Sequence, residues 1–253
     1  MSAKRKILVT RPRPQALELV DLLAERGVGA ISVPTVEIEP VPASELDSAL
    51  ARLDDADWLV ITSVNGANAV LERLRDRAAP LPDRLRIAAV GPATAAALQA
   101  GGLRVDHVPD DYLTVMIADG MGEVRGRRVM LARADAATPD LRDVLVARGA
   151  DVDEVVAYRT IEGPAESRDP LRAALARHLD GVSFTSGSTV RGLMRLASTF
   201  DRARLRALGA FCIGPVSADV ARRRGFGVAA VAEEHTTIGL ADAIAAHFST
   251  EAR

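Results

Sequence analysis

The stretch Val182-Ser-Phe-Thr-Ser-Gly-Ser-Thr189 begins as a short apolar strand, continues into hydroxyls and a glycine, and precedes a segment with helical periodicity. The same pattern occurs earlier, in Asp57-Trp-Leu-Val-Ile-Thr-Ser-Val-Asn-Gly66. The two copies keep one offset of 123 positions (185 − 62) over these pairs: Thr62 and Thr185, Gly91 and Gly214, Gly102 and Gly225, Thr114 and Thr237. A repeat that stays in register predicts the same structural elements in both copies.

A second pair of matching segments precedes these copies, at an offset of 122 positions (149 − 27). Ile7-Leu-Val-Thr10 and Val129-Met-Leu-Ala132 are short and apolar, as buried parallel strands are. Each is followed by apolar residues at helical spacing and then by a glycine that ends the helix, Gly27 or Gly149. The chain therefore divides into four segments, which we call A (6–40), B (57–118), A′ (128–162) and B′ (180–241).

Strands that alternate with helices indicate right-handed βαβ units and a parallel sheet covered on both faces. The sequence therefore predicts an α/β protein of two similar parallel-sheet lobes that arose by internal duplication. The joints between A-type and B-type segments, 33–42 and 155–164, are proline-rich or alternate in polarity, so we expect both to be extended. We further expect them to pair as a two-stranded β-ladder that joins the lobes as a hinge.

Composition narrows the function classes. The net charge of the 253 residues is −2 and no basic block is present, which argues against nucleic-acid binding. No segment has the length and polarity of a membrane span, and a single cysteine, Cys212, fits a reducing compartment, so we expect a cytoplasmic protein. Cys212 lies in an apolar strand and is interpreted as a core thiol. The histidines lack metal-ligand spacing and are interpreted as surface residues: His107, His178, His235 and His247. With no nucleotide-binding motif either, we expect no metal and no cofactor.

Several short motifs, in their order and spacing, resemble those of the uroporphyrinogen-III synthase family: Thr10-Arg11-Pro12, the two Thr-Ser loops, Val90-Gly-Pro-Ala-Thr94-Ala95, Val156-Ala-Tyr158-Arg-Thr160, Ile213-Gly-Pro215 and Thr237. The resemblance covers essentially the whole chain. It implies that the first A segment folds with the second B segment. The implied boundaries are one lobe of 1–34 plus 164–253, a second lobe of 42–154, and hinge strands at 35–41 and 155–163.

The resemblance also implies the reaction. A lyase of this family cyclises hydroxymethylbilane, a linear tetrapyrrole with eight carboxylates, to uroporphyrinogen III, with loss of water and inversion of the last pyrrole ring. Carboxylates can be held by helix N-terminal amides, hydroxyls and arginines. Because pyrrole nitrogens push out the leaving hydroxyl, little need for a protein nucleophile remains, and the protein mainly holds one folded substrate geometry. We expect a monomer that binds this small molecule and neither nucleic acid nor membrane.

Candidate site residues lie where the predicted strands end, since ligands on such sheets bind beyond the carboxyl ends of the strands. Tyr158, on a predicted hinge strand, is the candidate catalytic residue for assisting departure of the hydroxyl. The candidate substrate-binding residues are Arg11, Thr62, Ser63, Gly91, Thr94, Tyr158, Thr185, Ser186, Ser188, Gly214, Ser217 and Thr237. Family members usually carry threonine at the position of Ser217, as at Thr94, so the role of Ser217 is less defined by the resemblance.

Each candidate also has a purely structural interpretation. The serines and threonines could only cap helices, and the two Gly-Pro pairs could only make tight turns. Arg11 could be a solvated surface arginine, and for its counterpart Arg133 that interpretation is preferred. Tyr158 could be an ordinary strand aromatic with its hydroxyl at an interface.

Two other function classes remain open from the sequence. One is a two-lobed binding or sensor protein that closes on an anionic small molecule without converting it, because one fold supports both activities. The other, more remote, is a structural or regulatory interaction protein. A structural or regulatory interaction protein would need an exposed apolar patch, which the motifs do not indicate.

Overall fold

The computed structural model describes residues 5–75, 80–110 and 114–251. Its strands are β1 (Lys6–Val9), β2 (Gly29–Ser32), β3 (Val36–Pro40), β4 (Trp58–Ile61), β5 (Arg86–Ala89), β6 (Arg128–Ala134), β7 (Asp151–Glu162), β8 (Gly181–Phe184), β9 (Gly209–Cys212) and β10 (Val228–Val231). Its α-helices are α1 (Arg13–Glu25), α2 (Ala43–Leu50), α3 (Val64–Arg75), α4 (Pro92–Ala100), α5 (Ile117–Gly120), α6 (Asp140–Ala147), α7 (Arg168–Leu175), α8 (Gly187–Leu196), α9 (Thr199–Arg206), α10 (Pro215–Arg223) and α11 (Thr237–Glu251). Short 3₁₀ turns span Ala51–Asp55, Thr114–Met116 and Ala165–Ser167.

The chain forms two compact units, and the first combines the two ends of the sequence. Unit 1 comprises 1–37 and 161–253, and unit 2 comprises 38–160. Among the described residues one sheet has the strand order β10-β9-β8-β1-β2, and the other has the order β3-β7-β6-β4-β5. Strands β1 and β2 of segment A thus share a sheet with the strands of B′. The strands of A′ share the other sheet with the strands of B and with β3, the last strand of segment A. The predicted α/β class with two parallel-sheet lobes is confirmed.

The two sheets repeat each other residue by residue. When the offsets of the sequence repeat are applied, strand partners in one sheet coincide with strand partners in the other. The matching parallel neighbours are Lys6 and Gly29 with Arg128 and Asp151, Leu8 and Val182 with Met130 and Leu59, and Val182 and Ala210 with Leu59 and Ile87. Even the isolated bridge between Ala88 and His107 corresponds to the pairing of Phe211 with Ala230. The duplication inferred from the sequence therefore extends to the pairing register of the strands, which is the same in both sheets.

Helices cover both faces of each sheet, because side chains of successive strand residues point to opposite sides. In unit 1, Leu8, Phe184 and Cys212 pack with α8 and α10, while Ile7 and Phe211 pack with α1 and α11. Unit 2 repeats this arrangement with one apolar cluster around Leu59 and Ile61 and another around Trp58 and Val60.

The predicted helix stops are found where the glycines are. Helix α1 ends before Gly27 and α6 before Gly149, and both glycines have left-handed backbones, with φ of 76° and 85°. Residues with a Cβ adopt that conformation at a cost, which explains why the repeat keeps glycine there.

The two joints expected to form a connecting ladder contain β3 and part of β7. These strands are hydrogen-bonded neighbours at one edge of the second sheet. Their function as a hinge between the lobes stays a prediction. In the described part of the chain, no helix combines the length and the apolar character that crossing a bilayer requires.

Candidate functional site

The candidate residues form two groups, each at the carboxyl-end edge of one sheet. In unit 2, Thr62 and Ser63 follow β4, Gly91 follows β5 by two residues, and Tyr158 lies in β7 where its pairing with β6 ends. In unit 1 the corresponding positions follow β1, β8 and β9, and they are Arg11, Thr185, Ser186 and Gly214. The structure thus brings the candidates of each unit to one sheet edge, as expected for a ligand site on a parallel sheet.

Ser63 and Tyr158 are in direct contact. The Ser63 Oγ lies 2.9 Å from the Tyr158 hydroxyl oxygen and 3.0 Å from the Gly66 backbone nitrogen, whose N–H it accepts. Ser63 immediately precedes α3, so its hydroxyl satisfies one of the amides that the first turn of a helix leaves unpaired. One serine therefore both caps α3 and contacts the tyrosine.

An irregularity in β7 positions Tyr158. The register between β6 and β7 shifts at Arg133 and Ala134, so that Ala134 lies opposite Tyr158. Strict alternation would place Ala157 and Tyr158 on opposite faces of the sheet, yet both pack in the same apolar cluster, at 1% and 8% exposure. A β-bulge re-aims side chains in this way and is common beside active sites.

Asp135 anchors the backbone around the tyrosine. Its amide donates to the Tyr158 carbonyl at 3.1 Å, and its Oδ1 accepts the Thr160 N–H at 3.0 Å. Burial raises the pKa of Tyr158, and the nearby charge of Asp135 acts in the same direction. Hydrogen bonding with the side chains of Ser63 and Asn65 opposes this and lowers the pKa of Tyr158. The net shift is upward, so Tyr158 stays a neutral phenol at physiological pH.

The remaining candidates of unit 2 lie at the start of α3 and α4. Thr62 is half-buried, and Thr94 is the third residue of α4 and only 3% exposed. Gly91 is the N-cap of α4, and no side chain caps it. The free amides of this first turn and the positive end of the helix dipole suit an anionic group.

Ser186 caps helix α8 in unit 1. Its Oγ accepts the Thr189 N–H at 3.2 Å, and the Thr189 hydroxyl lies 3.4 Å from the Ser186 nitrogen, which makes a reciprocal capping box. The Ser188 Oγ is 2.7 Å from the Ser186 Oγ, and Thr185 beside them is half-buried. The capping interpretation of Ser186 is thus confirmed, and its contact with Ser188 adds a hydroxyl pair at this edge.

Arg11 is not the solvated surface side chain that its alternative interpretation described. Its side chain is only 12% exposed, and Nη1 donates to the Thr237 Oγ1 at 2.8 Å and to Glu18 Oε2 at 3.3 Å. The Arg11 Nε is buried and has no hydrogen-bond partner among the described residues. Burial lowers the pKa of this guanidinium, against the raising effect of Glu18. Because arginine pairs well with carboxylates, Arg11 stays a candidate for carboxylate binding.

Gly214 and Ser217 repeat the arrangement of Gly91 and Thr94. Both N-cap glycines have the same extended backbone, and Gly214 precedes α10 as Gly91 precedes α4. The buried Ser217 hydroxyl donates to the Gly214 carbonyl at 2.8 Å. The position of Ser217 is therefore that of its threonine counterpart, although its hydroxyl is already engaged.

Three interpretations of single residues change. Arg133, for which a solvated position was preferred, is 2% exposed, because its guanidinium pairs with Glu154 at 2.7 Å and donates to the Thr138 carbonyl. His107 and His247 were interpreted as surface residues but are half-buried. The His247 ring packs edge-on against an aromatic core ring, which an isolated histidine in a sequence does not signal.

The interpretation of Cys212 holds. Cys212 is fully buried, and burial raises its pKa to about 11, so it is a core thiol rather than a nucleophile. Among residues 5–75, 80–110 and 114–251, no three histidine, cysteine or acidic side chains converge to hold a metal. Sequence reasoning missed Asn65, whose side chain acts on Tyr158 and lowers the pKa of its phenol. Its only signal was its place two residues after Ser63.

Comparisons with known proteins agree on one family. A family model described as uroporphyrinogen-III synthase HemD matches residues 18–242. A uroporphyrinogen-III synthase from Synechococcus elongatus is 33% identical over 250 residues, covering 95% of this chain and 94% of that protein.

Solved structures show the same fold. A mutant uroporphyrinogen III synthase from Thermus thermophilus superposes with a TM-score of 0.74 at 22% identity, covering 97% of this chain and 99% of that one. The synthetase from Helicobacter pylori gives 0.60 at 18% identity, with coverage of 98% and 100%.

Proposed function

Because this chain belongs to the uroporphyrinogen-III synthase family, we propose that it cyclises hydroxymethylbilane to uroporphyrinogen III, with loss of water and inversion of the last pyrrole ring. It is thus a cyclising lyase of tetrapyrrole biosynthesis. The single observation that carries the assignment is the family match over residues 18–242, which includes almost every candidate site residue. The same match favours an enzyme over a non-catalytic binding or sensor protein.

Each unit offers groups at its own sheet edge that can bind carboxylates of the substrate. The N-termini of α3 and α4 in unit 2 and of α8 and α10 in unit 1 offer main-chain amides, with Gly91 and Gly214 at two of them. Amides at a helix N-terminus bind anions through hydrogen bonds and the helix dipole. Thr62, Thr94, Thr185, Ser186, Ser188, Ser217 and Thr237 add hydroxyls, and Arg11 adds a cation. The substrate's carboxylates are thus bound by many weak contacts rather than by one deep cationic pocket.

Tyr158 assists departure of the substrate hydroxyl. Its phenol is kept neutral by burial, so it can donate a proton or a hydrogen bond to the leaving oxygen. Loss of water leaves a cationic intermediate whose charge is spread over the pyrroles. The last ring then closes on this centre while the bound geometry prevents the spontaneous, uninverted closure.

The finer aspects of this function are proposals too. The substrate is a linear tetrapyrrole with eight carboxylates, and the protein acts as a cytoplasmic monomer without a metal or an organic cofactor. Supporting this, the described groups at both edges are hydroxyls, amides and a guanidinium rather than metal ligands. We expect the activity to survive exhaustive chelation. We also expect the protein to elute as a monomer in gel filtration.

The test of the function is the product isomer. Purified protein and hydroxymethylbilane are incubated without oxygen, and the products are then oxidised and separated. An enzyme diverts the product from the type I isomer, which forms spontaneously, to type III. A binding protein retains the substrate and leaves the isomer unchanged.

A further inference from the structure

We propose that Thr35 is a positioning residue, whose buried hydroxyl holds the end of β1 and the first turn of α8 in one arrangement suited to the substrate's carboxylates. The inference rests on the proposed function, because both elements carry candidate substrate-binding residues of unit 1. Thr35 lies between β2 and β3 and is fully buried. It therefore acts through its neighbours and does not touch the substrate.

The acceptors of the Thr35 hydroxyl determine the direction of its hydrogen bonds. The Oγ1 donates to the main-chain oxygen of Thr189 at 2.9 Å and to that of Thr10 at 3.1 Å. Carbonyl oxygens only accept, so the single hydroxyl proton of Thr35 is shared between these two acceptors. The Thr35 N–H also donates to the Thr10 carbonyl, at 3.2 Å. One buried residue thus joins β1 to α8.

Thr189 connects this contact to the candidate serines. Its amide donates to the Ser186 Oγ at 3.2 Å, and its hydroxyl donates to the Ser186 carbonyl at 2.7 Å. The hydroxyls of Ser186 and Ser188 are 2.7 Å apart. A shift of the Thr189 carbonyl would therefore move the capped turn that presents both serine hydroxyls.

Thr10 connects the same contact to the candidate arginine. Thr10 immediately precedes Arg11, and its hydroxyl donates to the Ser183 carbonyl of β8 at 2.6 Å. Thr10 is itself fully buried. The main chain that leads into Arg11 is thus fixed from two sides, by β8 and by Thr35.

Helix α8 approaches the Thr35 segment so closely that the contact requires a glycine. A Cβ on Gly192 would collide with the Thr35 carbonyl oxygen. That oxygen also accepts the Gly163 N–H, at 2.9 Å. Both main-chain contacts keep α8 within reach of the Thr35 hydroxyl, so the hydroxyl itself can be removed without removing the packing around it.

The sequence repeat indicates that this hydroxyl is not a requirement of the fold. The counterpart of Thr35 in unit 2 is Ala157, at the offset of 122 (157 − 35), yet both sheets have the same register. In unit 2 the next residue, Tyr158, contacts Ser63 before α3, whereas its counterpart in unit 1 is Val36. Each unit therefore contacts the start of one site helix through a different residue, and Thr35 is the one in unit 1.

The test compares two substitutions of Thr35. Thr35→Val keeps the shape and removes the hydroxyl, and it should raise KM for hydroxymethylbilane by about 3- to 10-fold, as expected for one net hydrogen bond. The value of kcat should change less than about 2-fold, because the candidate catalytic residue, Tyr158, belongs to unit 2. Thr35→Ser restores the hydroxyl and should bring KM to within about 2-fold of wild type. An unchanged KM in folded Thr35→Val, or a raised KM in Thr35→Ser equal to that of Thr35→Val, would overturn the proposal.

Ala174→Gly is the control for a general loss of stability. Ala174 lies buried in α7, which carries no candidate residue, and glycine is unfavourable in a helix interior. This variant should melt at a lower temperature and keep the wild-type KM. A rise in KM equal to that of Thr35→Val would mean that lost stability explains both effects, and would contradict a positioning role.

Hydrogen exchange tests the positioning without turnover. The Thr189 amide, which donates to the Ser186 Oγ, should exchange at least about 3-fold faster in Thr35→Val, while amides of β9 stay within about 2-fold of wild type. Equal acceleration throughout unit 1, or none at Thr189, would contradict the proposal. If wild-type protein formed no type III isomer, the proposed function would fail, whereas the exchange pattern would still decide whether Thr35 positions the first turn of α8.

Discussion

The Oγ of Ser63 lies 2.9 Å from the hydroxyl oxygen of Tyr158, although 95 residues separate them in the chain. The contact joins the loop after β4 to the bulged end of β7, two elements of different repeat segments. It brings the candidate catalytic phenol beside a helix N-terminus, where an anionic substrate group would also bind. This relationship is the local basis of the catalytic role assigned to Tyr158.

Tyr158→Phe should lower kcat by about 10²- to 10⁴-fold, the usual contribution of general-acid catalysis. The change removes the hydroxyl and keeps the ring that packs in the core. Steady-state turnover and isomer ratio measure the effect, with thermal melting as the test of folding. Tyr112→Phe removes the same group from the other tyrosine of the sequence, which is not among the candidate residues, and should be near wild type. A folded Tyr158→Phe protein at the wild-type rate would exclude the phenol from the mechanism.

Arg11→Met should raise KM by about 10- to 100-fold with a smaller effect on kcat, because a hydrogen bond to a charged group contributes about 1.5–3 kcal/mol. Methionine keeps much of the chain length, so packing is disturbed little. The matched control is Arg13→Met, at an exposed neighbouring position. Substrate titrations distinguish the two. An unchanged KM in a folded Arg11→Met protein would show that Arg11 interacts with Thr237 and Glu18 but not with the substrate.

Gly192→Ala should destabilise the protein by more than about 1 kcal/mol, although alanine normally favours a helix interior over glycine. A Cβ on Gly192, inside α8, would collide with the Thr35 carbonyl oxygen, which also accepts the Gly163 N–H at 2.9 Å. Gly227→Ala is the control, since a Cβ there meets no atom within 4 Å. Urea unfolding compares the two. Equal stability of both variants would mean that α8 and the Thr35 segment are not packed as described.

Cys212 should resist alkylation in the folded protein at pH 8, because burial raises the pKa of its thiol from the ordinary value of 9.0 to about 11. Between these values the unfolded state loses the thiol proton first, so this group makes folding stability fall as pH rises from about 9 to about 11. Cys212→Ala should remove that part of the pH dependence. The measurement is urea unfolding of both proteins at several pH values. Parallel pH profiles, or rapid labelling of the native thiol, would contradict the burial.

The sequence could predict the register of the strands but not which segments fold together. The repeat predicted register well, because each copy must place equal numbers of residues in equal elements, and Leu8 with Val182 indeed matches Met130 with Leu59. Which A-type segment joins which B-type segment did not follow from the residues. Short apolar strands resemble each other too closely to specify a partner, and only the family resemblance supplied that exchange.

Within the site, the types of residue were more predictable than the orientations and contacts of their side chains. Hydroxyls and glycines after strands indicated a ligand edge, but the bulge that turns Tyr158 inward depends on long-range pairing with β6. The burial of Arg133 depends likewise on Glu154, a residue of the neighbouring strand β7. Asn65 was overlooked because Tyr158, on which it acts, lies far along the chain, in strand β7.

The most direct test of the central claim is the isomer composition formed from hydroxymethylbilane as protein concentration is varied. The account predicts that the type III fraction and the consumption rate both rise in proportion to protein, and that Tyr158→Phe at equal concentration produces far less type III isomer. Type I product at the spontaneous rate, whatever the amount of well-folded protein, would contradict it. Substrate recovered unchanged on the protein in that case would identify a binding protein instead.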